Sequence, residues 1–225
     1  MSPATVALMP MSTLGDAFVW LNDPLNWEGK TGVPYLTYEH LYISGFAVLI
    51  AAVVALPLAL VLGHLGRGGG FTVVVSNVSR AIPTLALFAI PPLLTNAFVG
   101  VREVDRDVVE AARGMGLSGS AVLLRVELPL AVPLIAAGFR TAAVQVVATA
   151  TLAALVGGGG LGRIITDGFG QQDRPQILAG GILVALLALI TEGTLALVQH
   201  SVTPGRQRRS LVRGRRAMRT AADPA

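Results

Sequence analysis

Cysteine is absent from all 225 residues, which excludes a disulfide framework, a thiolate metal centre and a catalytic thiol. Charge is scarce as well: Asp, Glu, Lys and Arg make up 13% of the chain, about half of what a soluble globular domain carries. Aromatic residues reach only 5%. The three histidines, His40, His64 and His200, have no second ligand at i+3 or i+4, so a metal site is not expected and each is placed at a membrane interface. No basic segment followed by a short apolar stretch opens the chain, so the first apolar span is expected to direct insertion without a cleaved signal. A phosphate-binding loop is missing too. Gly29-Lys30-Thr31 has Pro24 where that motif needs a glycine, and the G-x-G-x-x-G match at residues 157–162 follows a long apolar run instead of a strand. No clustered His, Asp and Ser set suggests an enzyme.

What is present is apolar. Hydrophobic residues make up 53% of the chain and mean hydropathy is +0.67, which predicts an all-α, polytopic transmembrane helix bundle. Residues 41–65, 128–156 and 176–200 are each long enough to cross a hydrocarbon core of about 30 Å, and Pro57 is expected to kink the first. Residues 71–101 are apolar but interrupted by Arg80, Pro83, Pro91, Pro92 and Asn96. About four to five spans are expected in all.

Three regions follow. Residues 1–40, with Trp20, Trp27, Tyr35 and Tyr38, suit an interfacial or extracytoplasmic segment. Residues 41–200 form the transmembrane domain, and residues 201–225 a basic tail. Such a tail could bind nucleic acid, but directly after an apolar span it is expected to be a cytoplasmic anchor on anionic lipid. Three charges fall inside the apolar part and are candidate pathway or packing residues: Arg80, Arg140 and Glu192. Arg140 lies near the start of its span and can snorkel to the surface. Glu192 could couple an ion, or sit against a neighbouring helix or near the interface. Gly138 and the small residues Thr141-Ala142-Ala143 favour close helix approach.

Residues 107–129 mix charge and apolarity between two apolar regions. Asp107 and Glu110 have the spacing of a capping box, so a short helix is expected to start with Asp107 as its cap. Val108, Val109, Ala112 and Met115 are expected to gather towards one side. Gly116 can take the left-handed conformation that stops a helix, and Ser118 or Ser120 can cap a second one that stops or bends at Pro129.

These residues carry a resemblance. Glu110-Ala111-Ala112, three residues, Gly116, nine residues, Val126, one residue, Leu128-Pro129 resembles the EAA loop of ABC importer permeases, E-A-A-x3-G-x9-I-x-L-P, with Val126 replacing the isoleucine. By itself Glu110 could be no more than a cap on a solvated loop, but the whole spacing favours the motif. The runs Thr149-Ala-Thr-Leu-Ala-Ala-Leu-Val-Gly-Gly-Gly-Gly-Leu-Gly162, Ser79-Arg80-Ala-Ile-Pro83-Thr-Leu-Ala-Leu87 and residues 176–187 are similar to the osmoprotectant branch, which imports glycine betaine, carnitine, choline or proline.

The resemblance implies a type I importer permease in the bacterial inner membrane, with a cytoplasmic C-terminus. Its loop, residues 102–129, would be cytoplasmic and would dock on ABC ATPase subunits. Glu110, Ala111, Ala112 and Gly116 would shape the coupling helix, while Val126, Leu128 and Pro129 would join it to the next span. The chain would bind no cofactor itself, ATP and Mg²⁺ belonging to the partner ATPase. A second permease subunit, an extracytoplasmic substrate-binding protein and membrane lipid would be its other partners, and no nucleic acid. A permease for another small solute such as methionine, or a non-transporting membrane anchor, remains open. If the loops at Arg67 and residues 102–129 face the same side, two crossings must fit into about 31 residues, where two spans need about 40.

Overall fold

The computed structural model describes residues 3–81 and 85–202. Among them every regular element is helical, as the composition predicts. Helix α1, Pro3–Asn22, and a 3₁₀ turn, Pro24–Trp27, lead into α2, Val33–His64. The first long helix therefore begins about eight residues before the expected boundary at 41, because Gly32 and Pro34 provide a helix start ahead of Tyr35 and Tyr38. Those tyrosines lie on the helix itself, and Tyr38, Tyr42 and Phe46 stack along its outer face with centroids 6.4 Å apart. The α-helix runs on through Pro57.

Of the stretch 71–101, residues 71–81 fall within α3, Gly69–Ala81, and residues 85–101 within α4, Leu85–Arg102. At about 1.5 Å per residue α3 rises roughly 20 Å, short of the hydrocarbon core, and α4 roughly 27 Å. Three helical stretches are long and apolar enough to cross a membrane, Val33–His64, Gly119–Leu155 and Arg174–Val202, or four if α4 with the bent helix after it is counted. Among the described residues the helices long and apolar enough to span thus number three to four, where about four to five spans are expected. Arg80 lies on α3, but its side chain lies outside what is described, as do Pro83 and the basic tail from residue 203.

After α4 come α5, Arg106–Gly114, α6, Gly119–Val122, a π-helical turn, Leu123–Glu127, and α7, Leu128–Thr149. The apolar run of α7 continues in 3₁₀ form over Ala150–Val156, and α8, Gly162–Gln171, precedes α9, Arg174–Val202. Residues 163–175 are thus largely helical. Ile164 and Gly168 of α8 are buried, and Gln172 at φ 57° closes it.

The core lies where α2, α4 and α7 meet. Ala47, Ala51, Ala55 and Ala59 of α2 face Leu93, Leu94 and Ala97 of α4, with Ala142 and Val146 of α7 behind them. Small side chains at this junction bring the helix backbones close, which gives dispersion contact where lipid offers no hydrophobic drive. A second cluster joins Val33 and Leu36 of α2 to Val147, Ile164, Val184 and Leu187, with Trp20 of α1 packed against it.

Candidate functional site

Two ends of the bundle differ in chemistry. At one end the glycine turn of residues 157–160 rests on the N-terminal part of α2. Glu39 Oε2 accepts a hydrogen bond from the Gly160 amide at 2.8 Å, and a side chain at Gly160 would lie 3.0 Å from His40. Gly160 also has φ +80°, so glycine is required there twice over. The turn is therefore clamped at Gly160. His40 is buried instead of lying at an interface, and its Nε2–H donates to the Val147 carbonyl at 2.9 Å, tying α2 to α7.

The other end carries the motif. Arg106–Gly114 forms the expected short helix, but its cap is Asp105, whose Oδ1 accepts from the Asp107 amide at 3.0 Å. Val104 is buried and fixes where the chain turns, so the extended capping residue is the next one and Asp107 sits in the first turn. Glu110 is then too far along to close a capping box. It is exposed and has no hydrogen bond or ion pair among the described residues.

The four residues expected to gather on one side split between two. Val109 and Ala112 are buried with Val104 and Val122, and Leu117 and Val126 pack on them. Val108 and Met115 are exposed, the latter 75%, with exposed Ala111 between them at helical spacing. Gly116 has φ +84°, as a helix stop requires, and Ser118 Oγ accepts from the Ala121 amide at 3.4 Å to cap α6. Helix α5 leaves α4 at a bend of 64°. Pro129 does not stop the helix. It is the second residue of α7, directly after the π turn, in which the Leu128 amide donates to the Leu123 carbonyl, and that wider turn accommodates a residue with no amide donor. Leu128 is half-buried and Pro129 exposed.

Two of the three intramembrane candidates are brought together. Arg140 of α7 lies 3.0 Å from Glu192 of α9, and its other nitrogen donates to Gln199 Oε1 at 2.9 Å. Arg140 thus has a neighbouring helix to pair with instead of snorkelling, and Glu192 is accounted for by that pairing. Nothing in the sequence singles out this match, since 52 residues separate the two and each has an ordinary reading alone. The pair is about 35–41% exposed in the single chain, so Glu192→Leu is expected to cost on the order of 1 kcal/mol, and Arg140→Leu/Glu192→Leu less than either single change. Thermal unfolding of the purified protein in detergent measures this. No group of three or more metal-ligating side chains occurs among the described residues.

Val202 at the end of α9 lines a cavity of about 270 Å³ together with Val132 and Arg140, so α9 finishes towards the end of the bundle that carries α5. His64 is at that end too, beside Glu127.

Residues 31–204 match the family described as binding-protein-dependent transport system inner membrane component. The chain is 35% identical over 191 residues to the glycine betaine/carnitine/choline transport system permease protein OpuCB of Bacillus subtilis (strain 168), covering 76% of this chain and 88% of that one. It is 34% identical over 196 residues to the choline transport system permease protein OpuBB of the same organism, covering 78% and 90%. An inward-facing conformation of the MetNI methionine ABC transporter superposes with a TM-score of 0.65 at 20% identity, over 74% of this chain and 94% of that one, a likeness of fold. With helices long enough to span a membrane, a separate bent helix on the motif, and a family match over most of its length, the chain belongs to the binding-protein-dependent transport system inner membrane components.

Proposed function

We propose that this chain is the permease subunit of an ATP-driven importer for a small osmoprotectant such as glycine betaine, carnitine or choline, and that α5 is the helix on which the ATPase acts. One observation carries the coupling role: a short helix bent 64° away from α4 buries Val109 and Ala112 against its own loop while leaving Val108, Ala111 and Met115 outward. A helix that exposes an apolar ridge beside an unpaired carboxylate is suited to a groove on another protein. Glu110, Ala111 and Gly116 would present that ridge, and Val126, Leu128 and Pro129 would join it to α7.

ATP and Mg²⁺ would be bound by the partner ATPase. A second permease subunit would complete the pathway, and an extracytoplasmic protein would deliver the solute. ATP binding would favour one of two arrangements of the bundle, and α5 would carry that preference inward. The loop at Arg67, the α5 loop and the tail would face the cytoplasm, since basic residues concentrate there.

Proteoliposomes holding the complete complex, with ATP on the α5 side and the binding protein on the other, test the reading. Uptake of radiolabelled choline or glycine betaine is expected to require both. An ATPase that binds normally while neither solute moves would leave the anchor reading, which the shortness of α3 favours.

A further inference from the structure

The α5 loop is joined by the chain itself to α4 on one side and to α7 on the other. It has no covalent link to α2, yet α2 is the longest helix among the described residues and forms much of the core. A polar contact supplies the connection. His64, the last residue of α2, lies with Nδ1 2.5 Å from Glu127 Oε2, 63 positions along the chain.

Three features make this more than a surface ion pair. Glu127 is only 4% exposed, the only acidic side chain so deeply buried among the described residues, and a carboxylate there without a partner would be strongly unfavourable. It ends the π turn, between Val126 and Leu128 of the motif, and such wide turns are frequent where a helix serves a function. The far edge of the imidazole lies close to α6: a β-carbon placed on Gly119, its first residue, would be 3.4 Å from His64 Nε2. The ring therefore stands between the two ends of the segment 119–127. Arg102 of α4 and Arg106 and Arg113 of α5 line the same small cavity as His64 and Glu127, so the buried carboxyl group sits where α2, α4 and α5 converge.

We propose that His64 and Glu127 are positioning residues for energy coupling, fastening the α5 loop to the end of α2 so that displacement of α5 moves α2 with it instead of being absorbed at the Gly116 turn. This rests on α5 being the helix that meets the ATPase. Without the joint, α5 remains attached to α4 and α7 by the chain, and α2 is left behind.

The test uses the full complex in proteoliposomes, with ATP hydrolysis and radiolabelled choline uptake measured in the same vesicles. His64→Phe keeps the ring volume and removes the Nδ1–H donor; Glu127→Ala removes the acceptor; Glu127→Gln keeps an oxygen that accepts from Nδ1–H. His64→Phe and Glu127→Ala are expected to retain the ATPase and its hydrolysis within about twofold while choline moved per ATP falls about fivefold or more, a modest allosteric coupling. The double variant is expected to be no worse than the worse single one, as for two residues acting through one contact. Glu127→Gln is expected to recover more than half of the wild-type ratio. A wild-type ratio in His64→Phe, multiplied losses in the double variant, or failure of Glu127→Gln to recover would overturn the joint. If Glu127→Ala fails to fold, His64→Phe and Glu127→Gln decide. Failure of any ATPase to bind the wild-type chain would instead remove the coupling role of α5 itself, whereas normal binding with an unchanged ratio removes only the joint.

Discussion

Gly138→Ala is expected to lower the thermal unfolding midpoint of the protein in detergent by roughly 2–8 °C, and Gly138→Leu to prevent a stable fold. A β-carbon at 138 would lie 2.7 Å from the Pro92 carbonyl oxygen and 2.7 Å from Asn96 Cβ, both on α4. The carbonyl is backbone, and Asn96 Nδ2 donates to it at 2.8 Å, so neither neighbour can swing aside like the end of a flexible side chain. Two effects oppose each other. Alanine favours the helix over glycine by about 1 kcal/mol, whereas overpacking a tight junction costs about 1–3 kcal/mol, and here the steric term wins because α4 and α7 must separate. Gly181→Ala provides the contrast. Nothing lies within 4 Å of a β-carbon there, so the propensity gain is unopposed and the midpoint is expected to hold or rise. A fall for Gly181→Ala equal to that for Gly138→Ala would show that backbone flexibility, not the α4–α7 approach, governs the loss.

Glu110→Lys is expected to reduce ATP-driven uptake about tenfold or more while leaving folding and membrane insertion unchanged, and Val108→Asp/Met115→Asp to prevent retention of the ATPase altogether. Each of these side chains is exposed, and Glu110 has no partner among the described residues, so changing it removes no internal bond. Hot-spot losses at interfaces of about 2 kcal/mol or more correspond to such factors. The checks are co-purification of the ATPase with the tagged chain, uptake in proteoliposomes, and the unfolding midpoint as a control. Wild-type uptake in Glu110→Lys, or full ATPase retention in the double variant, would end the assignment of α5. A fall in the midpoint would instead place these residues in the fold.

Much of this architecture could be read in the residues. Long, predominantly apolar stretches mark α2, α7 and α9, and Gly116 marks the end of α5, because both signals are local. Boundaries and caps were harder. Asp105 and Asp107 are equally good caps by chemistry, and the choice between them depends on where buried Val104 anchors the chain, a tertiary fact. The two faces of α5 were merged for the same reason, since a nine-residue helix has too few turns for periodicity to separate Val109 from Val108. The polar matches were invisible. Arg140 with Glu192, Glu39 with the Gly160 amide, and His64 with Glu127 each join distant positions, and each member has an unremarkable reading by itself. Histidines in apolar surroundings suggested an interface, whereas two of the three are taken up by partners on other elements.

Helix α2 is held near both extremities: Glu39 grips the glycine turn at one, and His64 grips the α5 loop at the other. The 25 residue steps from one to the other amount to a strut of roughly 37 Å. A strut pivoting by about 5° sweeps its far tip through roughly 3 Å, the size of a water molecule. Moving as one body, α2 would carry a nudge at the loop to the glycine turn as lever travel, with no relay of side chains needed along the way.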